Sequence, residues 1–124
     1  MKLVDSSGWL EFFTDGPLAG AYIPHLKNLR DIVTPTVVLY EVYKVIKRQR
    51  SEEEALAAVA QMGKTQLVSL TDTIALTAAD MSLANNLAMA DAIVYATALT
   101  EGAELITSDA DLASLPGVAY LRKP

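Results

Sequence analysis

Asp5, Glu41, Asp91 and Asp109 differ from the chain's other acids in their surroundings. Asp5 closes the apolar run KLV, and Asp109 follows ELIT after one further residue. Glu41 interrupts VVLYEVYKV, and Asp91 interrupts AMADAIVYATAL. A carboxylate in such a setting is costly to bury unless a cation or hydrogen bonds compensate it. Several of them brought together raise one another's pKa values, a cost that a hard divalent cation removes. The chain has no cysteine and one histidine, so the donors are oxygens, which favours Mg²⁺ or Mn²⁺ over zinc. Such a centre hydrolyses phosphodiesters without a side-chain nucleophile, because a bound Mg²⁺ activates water and offsets charge on the leaving oxygen.

Each acid also has an ordinary reading. Asp5 and Asp109 each fit a turn or a helix cap, Asp91 a favourable charge at a helix N-terminus, and Glu41 a surface acid paired with Lys44 at i+3. Asp111, in SDADLASL, fits a cap as well as a weaker ligand. Asp15, Asp31, Asp72 and Asp80 read as turn, cap or surface acids. His25 lacks a neighbour of metal-ligand type and reads as structural or exposed. Tyr40, Tyr43 and Tyr95 read mostly as core contacts, and Trp9, Phe12 and Phe13 as core or a protein interface.

The elements that must position the acids follow from periodicity and punctuation. Residues 2–5 predict a buried strand ending on Asp5, with Ser6 and Ser7 opening a helix that carries Trp9, Leu10, Phe12 and Phe13. Gly16-Pro17 ends it, and a second helix is predicted over 18–29. A strand over 31–34 leads through Thr34-Pro35-Thr36 into a helix over 36–49. Ser51 and Glu54 form a capping box for a helix through Met62. A strand at 66–70, a helix from Thr71 towards Asn85 and a helix from Met89 to Glu101 follow, the last stopped by Gly102. The strand 104–107, a turn holding Ser108, Asp109 and Asp111, and an edge strand at 118–121 complete the chain. Short apolar strands separated by helices predict an α/β fold, a mostly parallel sheet with helices on both faces. In such a fold, ligands bind beyond the carboxyl ends of the strands, where Asp5 and Asp109 lie.

The 124 residues suffice for one domain with one core, and 52% apolar content argues against disorder. Without cysteine there is no disulfide, thiolate metal site or cysteine nucleophile. An acid and a glycine in MKLVDSSGW fall too early for a signal peptide, and no apolar run is long enough for a membrane span. The sequence therefore predicts a cytoplasmic protein without membrane attachment. Fifteen acidic against ten basic residues, net -5, is an unfavourable balance for a nucleic-acid binder. Lys44, Lys47, Arg48 and Arg50 soften it, since they cluster within seven residues. They read either as solvated surface or as contacts to an RNA backbone.

Three blocks, VDSSGWLEFF, TPTVVLYEVYKV and MADAIVYATALTEGAELITSDADL, resemble in order and spacing those of PIN-domain nucleases, most closely the VapC-type toxins of type II toxin–antitoxin modules. The resemblance covers essentially the whole chain. It implies a single PIN-like domain in which Asp5, Glu41, Asp91 and Asp109 surround one or two Mg²⁺ or Mn²⁺ ions for cleavage of single-stranded regions of RNA. It further implies that Ser7 supports the first acid, that Thr107 orders the loop of the last, and that Asp111 plays a variable part. The implied partners are a second copy of the chain and a small antitoxin protein. Rival readings are a housekeeping PIN nuclease of RNA maturation and a non-enzymatic receiver-like or co-repressor protein. A receiver would carry an acidic pair after its first strand and a lysine after a late one, where this chain has Ser6-Ser7 and Thr107-Ser108-Asp109.

Overall fold

The computed structural model describes residues 1–123. Its elements in chain order are β1 (Lys2–Val4), α1 (Ser6–Thr14), α2 (Ala19–Tyr22), β2 (Ile32–Pro35), α3 (Thr36–Gln49), α4 (Glu52–Met62), β3 (Gln66–Val68), α5 (Asp72–Asn85), α6 (Met89–Glu101), β4 (Glu104–Thr107) and β5 (Val118–Tyr120). The strands form one sheet in the order β3-β2-β1-β4-β5, and every pairing is parallel. Successive strand residues point to opposite faces, yet Leu3 and Val4, Ile32 and Val33, and Leu105 and Ile106 are all buried. Both faces are therefore covered, as a parallel sheet requires. The chain builds the sheet outward from β1 through β2 to β3, then returns to place β4 on the other side of β1. This reversal makes the carboxyl ends of β1 and β4 the topological switch point, where open α/β sheets bind ligands.

The register of the two central strands matters most for the site. Leu3 lies opposite Leu105 and Val4 opposite Ile106, so Asp5 emerges beside Thr107. The Asp5 amide continues the ladder by donating to the Ile106 carbonyl at 3.0 Å. Behind this rim, α6 is buried at every residue from Ala92 to Ala98, which sets Asp91 at the mouth of the most enclosed helix. On α3, Val38, Val42 and Ile46 repeat every fourth residue and face the core, leaving Glu41 on the flank of that stripe.

Most predicted elements hold to within two residues. Ser51 caps α4 by accepting from the Glu54 amide at 3.0 Å, Thr71 caps α5 by accepting from Ile74 at 3.2 Å, and Gly102 ends α6 at φ 64°. The helix predicted over 18–29 is a correction. It breaks after Tyr22 into a tight turn over Ile23–Leu26, because Pro24 has no amide to continue the i→i−4 ladder. Of the three tyrosines read mostly as core contacts, Tyr95 is buried and Tyr43 half-buried, while the Tyr40 ring is exposed. Phe12 is likewise exposed, while Trp9 lies in the core with Phe13 stacked on it. Among the described residues no helix is long and apolar enough to cross a membrane.

The break after Tyr22 has a packing consequence. The fully buried Tyr22 ring crosses the first turn of α1 at Gly8, where a Cβ would collide with the ring and come within 2.7 Å of Val4 Cγ1. Gly8→Ala is expected to destabilise the fold by about 1–3 kcal/mol through overpacking. Gly20→Ala in α2, where a Cβ meets nothing within 4 Å, is expected to be neutral or slightly stabilising. Denaturant unfolding of the two variants side by side checks both; equal stabilities would refute the close-approach argument.

Candidate functional site

The site is built on Thr107, at the end of β4. Its hydroxyl donates to Asp5 Oδ2 at 2.8 Å and accepts from the Asp109 amide at 3.0 Å, so one side chain aligns two acids from opposite ends of the chain. The Ser6 amide donates to Asp5 Oδ1 at 2.7 Å, in the geometry of a helix cap. Asp5 is therefore a buried carboxylate with a hydrogen bond to each oxygen. The ordinary reading of Asp5 as a cap and the reading as a site acid hold together. Asp109 likewise accepts from the Asp111 amide at 2.9 Å, which folds the turn so that Asp111 comes back towards the site.

One carboxylate oxygen from each of Asp91, Asp109 and Asp111 lies within 4.8 Å of the other two. Asp91 comes from the first turn of α6 and the other two from the turn after β4, so the group joins two elements across the rim. Asp5 is more buried than this trio, and its charge acts on both Asp91 and Glu41. Asp111, the weakest of the sequence candidates, is thus a full member of the tight group, and Asp5 is set deeper.

Electrostatics follow the same arrangement. Burial raises the Asp91 pKa to about 7, helped by the charge of Asp109, by a hydrogen bond shared with it, and by Asp5 and Asp111. Burial likewise raises Asp5; the hydrogen bonds from Thr107 and Ser6 oppose that rise, and Asp109 adds to it. Glu41 is raised by burial and then by the charge of Asp5, with Ser6 and Lys44 acting the other way. These acids repel one another, and no Lys or Arg is ion-paired to them among the described residues. An all-oxygen donor set carrying uncompensated negative charge is the chemistry of a hard divalent-cation site, and these residues fit one.

Ser7 does not hydrogen-bond Asp5. Its hydroxyl accepts from Ser108 at 3.2 Å, and Ser108 in turn accepts from the buried Tyr22 hydroxyl at 3.0 Å. Ser6, which sequence reasoning passed over except as a helix start, is the serine that faces Asp5 and Glu41. Its position directly after the first acid was the available signal. Tyr22 carried none, because nothing local to it points towards Ser108. The α3 cations are partly engaged: Lys47 meets Glu52 at 3.4 Å, Arg50 meets Glu54 at 3.9 Å, and Lys44 sits over the Tyr40 ring. Lys44 forms no ion pair with Glu41. His25 accepts the Lys2 ammonium at 2.9 Å, away from the carboxylates.

Residues 2–118 match the PIN domain family. The chain belongs to that family. Comparison with curated proteins returns no match. Among solved structures, the chain is similar to a toxin–antitoxin complex from Klebsiella pneumoniae, with 22% identity, 96% of each chain covered and a TM-score of 0.82. It is similar to VapC20 of Mycobacterium tuberculosis, a sarcin-ricin loop cleaving toxin, with 19% identity, 98% of this chain and 99% of that one covered, and a TM-score of 0.80. VapBC2 from Rickettsia felis, bound to a DNA fragment from its promoter, shares 12% identity over 99% of this chain and 98% of that one, with a TM-score of 0.77. At these identities the likeness is one of fold. The PIN fold settles the receiver-like alternative against it.

The raised Asp91 pKa has a stability consequence. The folded PIN domain holds a proton on Asp91 between about pH 4 and pH 7 that the unfolded chain has released, so folding is favoured at the acid end and that contribution is lost as pH rises through about 7. In EDTA, the melting temperature of the natural chain minus that of Asp91→Asn is expected to fall from pH 5 to about pH 7 and to level off towards pH 8. Millimolar Mg²⁺ at pH 8 is expected to restore the natural chain selectively. A pH-independent difference between the two melting curves would contradict the assignment.

Proposed function

We propose that this PIN domain is a metal-dependent endoribonuclease that hydrolyses phosphodiester bonds in RNA and is the toxin half of a toxin–antitoxin pair. The observation that carries the reading is the convergence of Asp5, Glu41, Asp91 and Asp109 on one rim of the sheet, with burial and then its acidic neighbours raising the Asp91 pKa to about 7. Asp91, Asp109 and Asp111 are placed to hold Mg²⁺, with Mn²⁺ as a substitute, and Asp5 and Glu41 complete the centre. When bound there, Mg²⁺ supplies an activated water and neutralises charge on the phosphate and leaving oxygen. Thr107 fixes the rotamer of Asp5 and the path of the Asp109 backbone, which pre-organises the acids. Asp91, whose raised pKa keeps it protonated in the metal-free protein up to about pH 7, would release that proton on cation binding.

Support for the toxin assignment comes from the fold neighbours, which include toxin–antitoxin complexes matched over nearly their whole length. The reading implies a small antitoxin as partner and a homodimer, working in the cytoplasm. Exposed apolar side chains such as Leu70 and Met89 supply surface for protein contacts.

Incubation of total cellular RNA with purified protein in Mg²⁺ is expected to yield discrete fragments with 5′-phosphate ends, and EDTA is expected to abolish them. Asp5→Asn and Asp91→Asn are each expected to lower the cleavage rate by roughly 10²–10³-fold while remaining folded, the scale for losing one electrostatic stabiliser of a transition state. Full cleavage by a folded Asp5→Asn protein would sink the assignment.

A further inference from the structure

An anionic strand must approach an anionic centre on a protein of net charge -5, so its path needs local positive charge. The basic run on α3 does not supply that path well. From Glu41 to Arg50 the helix climbs about 14 Å at 1.5 Å per residue, so the run leads away from the acids. Lys47 and Arg50, at its far end, are already paired with Glu52 and Glu54.

The other side of the site is different. β5 pairs with β4 so that Thr107 lies opposite Tyr120, and the Leu121 amide donates to the Thr107 carbonyl at 2.8 Å. Thr107, which aligns Asp5 and Asp109 through its hydroxyl, thus also anchors the segment after β5 through its carbonyl. That anchor delivers Arg122 and Lys123 to the rim beside Ser108 and Asp109. Together with Ser7, Tyr120 and Asp109 they line an open groove of about 550 Å³. Ser7, Ser108 and Lys123 also line a second hollow, which continues the groove along α1. Both cations are exposed, and neither is in an ion pair among the described residues. Glu11, the acid of the second hollow, accepts from the Leu18 amide at 3.2 Å.

We propose that this groove is the track on which a single-stranded RNA reaches the carboxylate centre, with Arg122 and Lys123 binding the phosphates next to the one being cut. The guanidinium fork of Arg122 matches two phosphate oxygens, and Lys123 adds a mobile point charge one residue further on. The Ser7 and Ser108 hydroxyls line the floor as uncharged hydrogen-bonding groups, and the Tyr120 ring offers a face for a base. The inference rests on the nuclease reading and adds to it the side from which the substrate enters.

The test uses the full chain carrying Asp5→Asn to prevent turnover, in Mg²⁺, with a short fluorescently labelled single-stranded RNA of mixed sequence. Arg122→Ala/Lys123→Ala is compared with Lys27→Ala/Arg30→Ala, which removes the same charge from the opposite rim, ahead of β2. Anisotropy titrations over a range of salt are expected to show the first pair weakening binding roughly ten-fold, with a salt slope shallower by about 1.4, the value for two lost phosphate contacts on a single strand. The second pair is expected to leave both nearly unchanged, and thermal melts of all proteins are expected to coincide. Equal effects from the two pairs, or none from the first, would overturn the groove assignment while the natural chain still cuts RNA. A natural chain that neither binds nor cuts RNA would overturn the nuclease reading, and this inference with it.

Discussion

The parallel pairing of β1 with β4 is the constraint on which the rest of the molecule depends. Two three- to four-residue strands, from opposite ends of the chain, are held so that Val4 faces Ile106. The next residue on each strand is Asp5 and Thr107, and their side chains meet at 2.8 Å across a sequence separation of 102. A slip of one residue would turn every side chain of the strand to the other face of the sheet, taking Asp5 out of reach of Thr107. The buried apolar pairs behind them prevent it, since Leu3, Val4, Leu105 and Ile106 are fully enclosed. Hydrophobic registration of the central strands therefore fixes the position of the acids.

A second constraint is the cost of gathering negative charge. Asp91 lies in the first turn of a helix buried at every residue from Ala92 to Ala98, so its backbone position is fixed by core packing. Asp109 and Asp111 are tied by their own turn, and Asp5 by two hydrogen bonds. The acids are rigid because each is held by an element with another structural duty. The outcome is a centre in which Asp91 retains a proton up to about pH 7.

Around that centre the polar groups divide by depth. Tyr22, Ser108 and Ser7 form an internal chain of hydroxyls under the turn of Asp109, reached because Gly8 leaves room for the Tyr22 ring. At the surface, Arg122 and Lys123 border the same turn. The α3 cations instead associate with their own helix and the start of α4, where Glu52 and Glu54 lie. Positive charge therefore borders the site on two sides, Lys44 near Glu41 and the Arg122–Lys123 pair near Asp109.

The sequence by itself determined the element types, the parallel α/β class and the identity of the acids. Those signals are local: alternation and apolar runs mark strands, Ser51, Thr71 and Gly102 mark helix ends, and a carboxylate inside an apolar helix is conspicuous wherever it stands. The break after Tyr22 is local in cause as well, since Pro24 lacks the amide that a continuous helix over 18–29 would need. Only the tertiary structure decided which acids touch, that Asp111 joins Asp91 and Asp109, that Asp5 lies deeper, and that Ser6 and not Ser7 faces it. It alone brought Tyr22 to Ser108, and the segment after β5 to the rim of β4. Those facts depend on strand register and on the order β3-β2-β1-β4-β5, which align residues with no neighbouring pattern in the chain. Periodicity says which face of an element is buried; it does not say which distant segment that face will meet.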